Sequence, residues 1–220
     1  MAGYGLRSKK FLCGLVLAVL LGGAGVAWME RASLLAWFYV RGLARAGAGE
    51  RGRWVGRVAG LGEAALPGLI DCLAQPEADV CANARAALAD LSGRWGVGAA
   101  RTVELALRLA REFTRLSPAG QRQALELAAR WFADRPAGAE PARGLVPACA
   151  RLLEEGAGAT DPEAQGAALE LCAVLLAQAQ GAEALNAGRA AVRSGLRSAT
   201  PANRLRAVRL ALQPGMDLLE

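Results

Sequence analysis

Four prolines, Pro76, Pro118, Pro162 and Pro201, each stand at the head of an alanine- and leucine-rich segment, at intervals of 42, 44 and 39 residues. Proline suits the first turn of a helix and punctuates little else in an apolar run. A period near 40 with helix-only punctuation predicts a stack of helical hairpins, in which each unit buries its core only against its neighbours. The residues before the last three prolines are Ser117, Asp161 and Thr200, side chains that cap helices by accepting a backbone N–H bond. Gln75 takes that place in the first copy and is a weaker cap.

The repeat is also visible inside the helices. Leu125, Leu169 and Val208 lie seven residues past the prolines, and Leu127, Leu171 and Leu210 nine past. The matched cores are Ala-Leu-Glu-Leu-Ala at 124–128, Ala-Leu-Glu-Leu-Cys at 168–172 and Ala-Val-Arg-Leu-Ala at 207–211. The first copy, Val80 to Leu91, fits this register less well. A partner helix is predicted before each: Leu61–Ala74, Thr102–Leu116, Leu145–Glu155 and Glu183–Ser198. Leu105, Leu109, Phe113 and Leu116 share one face of the second, and Leu145, Cys149, Leu152 and Leu153 one face of the third. Glycine and proline mark loops at 93–98, 136–141 and 156–161. No segment alternates with a period of two, so no strand is expected.

The stretch 61–70 followed by 76–91 resembles a HEAT repeat. That family pairs a first helix bearing an early proline with a second bearing a valine near its start and small residues inside. Pro67, Val80, Ala84 and Leu88 match those places, and Cys81 stands where the family often has arginine. The resemblance spans roughly residues 50–213 and is best at 61–91. It implies an armadillo-like scaffold rather than an activity. The expected fold is therefore all-α, an α-α superhelix of about four HEAT-like hairpins over 61–213, with a short tail at 214–220.

The N-terminus is of another kind. Residues 11–29 carry no charge and follow a basic flank, 1–10, with Arg7, Lys9 and Lys10. As a helix this run is about 28 Å long, near a bilayer's hydrocarbon thickness. It reads as a single-pass membrane anchor, with Trp28, Trp37 and Tyr39 suited to the far interface. The rival is a signal peptide cleaved after Ala24 or Ala27, which leaves a secreted or soluble protein. Arg31, Arg41 and Arg45 balance the three basic residues before the run, and the tighter clustering of the latter favours a cytoplasmic N-terminus with the repeats outside. Gly14, Ala18 and Gly22 form a small-xxx-small face suited to self-association. Residues 30–60 read either as a stalk continuing the anchor or as a degenerate first repeat, with helices near 32–43 and 51–60.

The chain has no histidine, which excludes Ser-His-Asp and Cys-His catalysis and histidine metal sites. Its cysteines, Cys13, Cys72, Cys81, Cys149 and Cys172, never form a Cys-x-x-Cys pair, and no Walker-type phosphate loop is present. Glu154 and Glu155 are neighbours and so point about 100° apart on a helix. No catalytic, cofactor or metal site is expected. Cys72 and Cys81 flank one turn, where they are either small core residues or a disulfide. Beyond residue 30 the chain holds 23 Lys and Arg against 19 Asp and Glu. Arg189, Arg193, Arg197, Arg204, Arg206 and Arg209 follow one another without an acid between them, the first three forming a stripe beside Leu185, Val192 and Leu196. The run reads as arginine stems covering a core edge, or as a docking patch for an acidic protein, anionic lipid or another polyanion. Nucleic acid is disfavoured, since no aromatic residue interleaves the run to stack on bases. Binding another macromolecule, through an anchored scaffold or a soluble one, is the expected role.

Overall fold

In the computed structural model, residues 33–133, 144–178, 182–213 and 216 are described. They are all-helical. Residues 33–44 form α1, followed by α2 (Arg51–Ala59), α3 (Leu66–Leu73), α4 (Ala78–Trp95), α5 (Ala100–Glu112), α6 (Pro118–Ala133), α7 (Leu145–Ala157), α8 (Pro162–Gln178), α9 (Ala182–Leu196) and α10 (Pro201–Ala211). Short 3-10 turns precede α3 at Gly62–Ala65 and follow α5 at Phe113–Arg115. The even-numbered helices lie side by side from α2 through α4, α6 and α8 to α10. Helices α5, α7 and α9 form a second row against them. One continuous core runs between the rows, from Val40 and Leu43 at one end to Leu210 and Met216 at the other.

Most of the repeated residues are buried, as the pattern predicts. Leu127 and Leu171 are 1 % and 0 % exposed, and Ala124, Ala168 and Ala207 are equally buried. Ser117 Oγ accepts the Gly120 N–H at 3.1 Å, and Asp161 Oδ2 accepts the Ala164 N–H at 2.8 Å, so two of the three expected caps form. Thr200 has extended backbone but makes no side-chain cap bond. The third residue past each of the last three prolines does a further job. Gln121 donates to the carbonyls of Phe113 and Leu116, Gln165 to Ala159, and Arg204 to Ser198 and Ala199. In these three units the side chain turns back onto the end of the preceding helix and donates to its terminal carbonyls, where intrahelical partners run out.

Glycine sets the spacing between the rows. A Cβ on Gly156 of α7 lies 2.8 Å from Leu125 and 3.5 Å from Ala168, and one on Gly195 of α9 lies 3.0 Å from Leu169 and 2.9 Å from Ala207. These partners are equivalent positions of successive repeats, and the two glycines are themselves 39 residues apart, as are Pro162 and Pro201. Only a residue without a side chain lets the odd helix come this close.

Several sequence expectations are corrected. Val208, expected to be buried like Leu125 and Leu169, is 45 % exposed, because α10 ends the row among the described residues. The loop expected at 93–98 is shorter: α4 continues to Trp95 and stops at Gly96, whose φ of 89° needs glycine. The helix expected from Leu61 starts as a 3-10 turn, and the α-helix begins at Leu66 with Pro67 in its first turn, where the missing N–H costs nothing. Pro76 lies before α4 rather than at its head, with Glu77 in the extended N-cap position. The loop at 136–141 and the apolar run 11–29, with its Gly14–Ala18–Gly22 face, lie outside the described residues. Among the described residues no helix is long and apolar enough to cross a membrane. Residues 33–44 are not a free stalk. Ala36, Val40 and Leu43 are buried, a Cβ on Gly68 of α3 would be 3.3 Å from Val40, and Tyr39 meets Trp54 of α2 edge-on at 6.3 Å.

Candidate interaction surface

The six arginines singled out in the sequence divide into groups once folded. Arg204 is the turn-capping residue just described, with 2.9 Å and 3.0 Å bonds to the Ser198 and Ala199 carbonyls. Arg206 reaches across to α8 and pairs with Glu170 at 2.8 Å. The run is therefore not without a compensating carboxylate: the acid comes from the neighbouring helix. Arg189 is half-buried and donates to Asn186 Oδ1 at 3.4 Å. Arg193, Arg197 and Arg209 are exposed. Beyond Glu183, neither α9 nor α10 carries an acidic residue.

The Arg206–Glu170 pair is the last rung of a ladder that the sequence reading did not identify. Arg85 of α4 donates to Gln123 at 2.5 Å and lies 3.7 Å from Glu126 of α6. Arg122 of α6 meets Glu126 at 3.6 Å and pairs with Glu163 of α8. At the N-terminal end, Arg51 of α2 donates to Asn83 of α4, which itself donates to the Leu43 and Ala46 carbonyls at 2.9 Å and 3.0 Å. The signal for it was present: Glu126 and Glu170 are the glutamates of the repeated Ala-Leu-Glu-Leu motif. In the third copy that place is Arg209. The ladder's alternating charge thus stops at α10, where arginine replaces glutamate.

The outer side of α10 is also apolar. Leu205, Val208 and Leu212 are 54 %, 45 % and 80 % exposed, in helical register with one another and flanked by Arg204 and Arg209. The groove between α8 and α10 is lined by Leu169, Glu170, Ala173, Arg206, Arg209 and Leu210. It offers cationic and apolar contact, with its one carboxylate, Glu170, paired to Arg206.

The four described cysteines are sequestered. Burial pushes the Cys72 thiol up to about 11 and the Cys172 thiol up to about 12, and Cys81 and Cys149 are raised for the same cause. Cys72 and Cys81 are both free thiols, and the Cys81 sulfur lies among the carbonyl oxygens of Cys72, Leu73 and Gln75, 3.3 Å from the last. A protonated, buried thiol is neither a good nucleophile nor a metal ligand. Among the described residues no cluster of three or more potential ligands could hold a metal ion. A buried polar contact, Trp131 Nε1 to Ser92 Oγ at 2.9 Å, ties α6 to α4.

No protein-family model matches the chain, and no curated protein matches it significantly, so its surface has to be read from its own geometry.

Proposed function

We propose that this protein is a membrane-anchored α-solenoid of HEAT-like hairpins that binds another macromolecule and carries out no chemistry itself. The binding end is α10 with the exposed edge of α9, and the partner is an anionic, partly apolar protein surface. The observation that carries this is the change at α10. A motif glutamate in α6 and α8 becomes Arg209 there, beside exposed Leu205, Val208 and Leu212. In α6 and α8 the motif glutamates meet arginines of neighbouring helices, whereas Arg209 of α10 is exposed. An apolar strip rimmed by charge is what a protein-binding end requires. The two-row arrangement and the recurrent turn-capping residue support the hairpin-stack reading. The uncharged run 11–29 behind its basic flank supports the anchor.

The test is a crosslinking pull-down from native membranes with Arg197→Gln/Arg209→Gln. These positions are exposed and lie outside the turn-capping and ladder bonds, so the fold stays intact. Single exposed charge pairs contribute only about 0–1 kcal/mol, which is why two are changed together. Partner capture should fall and its salt dependence flatten. Capture that is unchanged at every salt concentration means the partner binds another face. Retention in the membrane after an alkaline carbonate wash tests the anchor, and a soluble protein beginning near Ala27 or Trp28 refutes it.

A further inference from the structure

Helix α1 has two chemically opposite faces. Ala36, Val40 and Leu43 turn inward and are at most 6 % exposed. On the other side Leu34, Leu35, Trp37 and Phe38 are 58 %, 44 %, 61 % and 57 % exposed. At about 100° per residue, Leu34, Phe38, Arg41 and Arg45 fall on one line along the helix. The outward face is thus apolar and aromatic in its first turns and cationic in its last. Scattered apolar residues on a surface need no explanation, but a contiguous cluster of two leucines, a tryptophan and a phenylalanine does.

The charge around this cluster has one sign. Residues 33–60 contain Arg41, Arg45, Arg51, Arg53 and Arg57 against Glu50 alone. Glu50 lies 3.5 Å from Arg53, and Arg51 is engaged with Asn83. Arg41 stacks over the Trp37 ring at 5.2 Å, and Arg53 and Arg57 over Trp54 at 5.8 Å and 5.3 Å. These stacks hold guanidinium groups beside the aromatic rings, the pairing that suits a bilayer's interfacial zone.

We propose that the α1–α2 hairpin docks on an anionic membrane leaflet, with Leu34, Leu35, Trp37 and Phe38 at the acyl boundary and Arg41, Arg45, Arg53 and Arg57 on lipid phosphates. This rests on the membrane-anchored reading above. Residues 11–29 end just before α1, and the apolar end of the exposed face is the end nearest to them. From Phe38 to Arg45 is about 10 Å at 1.5 Å per residue. Apolar faces of interfacial helices sink about 5–10 Å into the headgroup–acyl boundary, so an inclined α1 has Phe38 at the acyl boundary while Arg45 is at the phosphates. Charge argues against a second copy as the occupant, since a symmetric pairing would bring two arginine sets together. Docked this way, the hairpin fixes the orientation of the helix rows, and α10 at the far end is presented away from lipid.

The experiment uses the full chain with Cys13→Ser, so that the other native thiols are buried. A fluorophore is attached at Phe38→Cys or, as a reference, at Arg115→Cys, an exposed site on the turn after α5. Each protein is reconstituted into phosphatidylcholine vesicles with and without phosphatidylserine. The probe at 38 should lose most of its emission to brominated acyl chains and be shielded from aqueous iodide, and the probe at 115 should do the reverse. Changing Arg41, Arg45, Arg53 and Arg57 to Gln should reduce bromine quenching at 38 in the phosphatidylserine vesicles to its level in pure phosphatidylcholine. Protein that survives a carbonate wash but has its probe at 38 as open to iodide as at 115 overturns the docking and leaves the anchor standing. Protein released by the wash overturns the anchor. A probe at 38 shielded from both quenchers, with crosslinks at that residue to a second copy, overturns the docking in favour of self-association.

Discussion

Gly120→Ala tests the hairpin wiring at its tightest point. Gly120 is the third residue of α6, and a Cβ there overlaps the Leu73 carbonyl oxygen and comes within 2.7 Å of the carbonyl carbon. The obstacle is backbone at the end of α3, so no rotamer change relieves it. The same carbonyl accepts from the Ser117 N–H and from Ser117 Oγ, both at 3.1 Å, and Ser117 Oγ in turn caps the Gly120 N–H. Moving α6 away breaks this group together. Overpacking costs about 1–3 kcal/mol, and leaving a buried carbonyl unpaired costs a further 1–3 kcal/mol or so. Alanine's higher helix propensity returns at most about 1 kcal/mol. The expected net loss is about 1–5 kcal/mol, read as a lower urea midpoint for the full chain in detergent. The control is Gly93→Ala at an exposed position of α4, where a Cβ meets nothing within 4 Å. There the same substitution should stabilise by roughly 0.5–1 kcal/mol. A Gly120→Ala protein as stable as the wild type would show that α6 does not close on α3 in this way.

Leu127→Ala and Leu171→Ala should each cost about 2–5 kcal/mol, since both side chains fill equivalent core positions; a loss below about 1 kcal/mol in either denaturant melt means the repeat register is wrong. Arg204→Ala should lower stability by about 1 kcal/mol through the lost carbonyl bonds while Arg209→Ala leaves it unchanged; equal melts for the two variants would remove the distinction between the turn-capping and surface arginines. Stability should be complete below the ordinary thiol pKa of 9.0 and fall as pH rises toward about 11 and about 12, because unfolded Cys72 and Cys172 ionise in that window while the folded thiols hold their protons. The slope contributed is about 1.4 kcal/mol per pH unit per thiol, and Cys72→Ala/Cys172→Ala should flatten it; an unchanged slope would assign the alkaline loss to other groups.

Helices α6, α8 and α10 were legible from sequence because their signal is local. A proline, a capping side chain and an apolar spacing all lie within about ten residues, and each has a separate physical cause. The contacts between helices were less legible for the complementary reason. Gly156 and Gly195 look like helix weakeners in isolation, and only the approach of Leu125 and Leu169 from another helix explains them. Gln121, Gln165 and Arg204 are unlike in chemistry, so no residue-type match reveals their shared place, yet each can donate to a carbonyl and that is what the turn needs. The arginine run looked uncompensated because charge counted along the chain omits Glu170, 36 residues away and one helix over. The same limit hid the ladder, although its acidic half was written into the repeated motif as Glu126 and Glu170. What sets the third copy apart is therefore a change of sign rather than a loss of pattern. Ala207 and Leu210 keep the core while Arg209 and exposed Val208 alter the surface. Among the described residues α10 stays apolar on this face and turns cationic, and that change of surface over an unchanged core is the observation behind the binding role proposed for it.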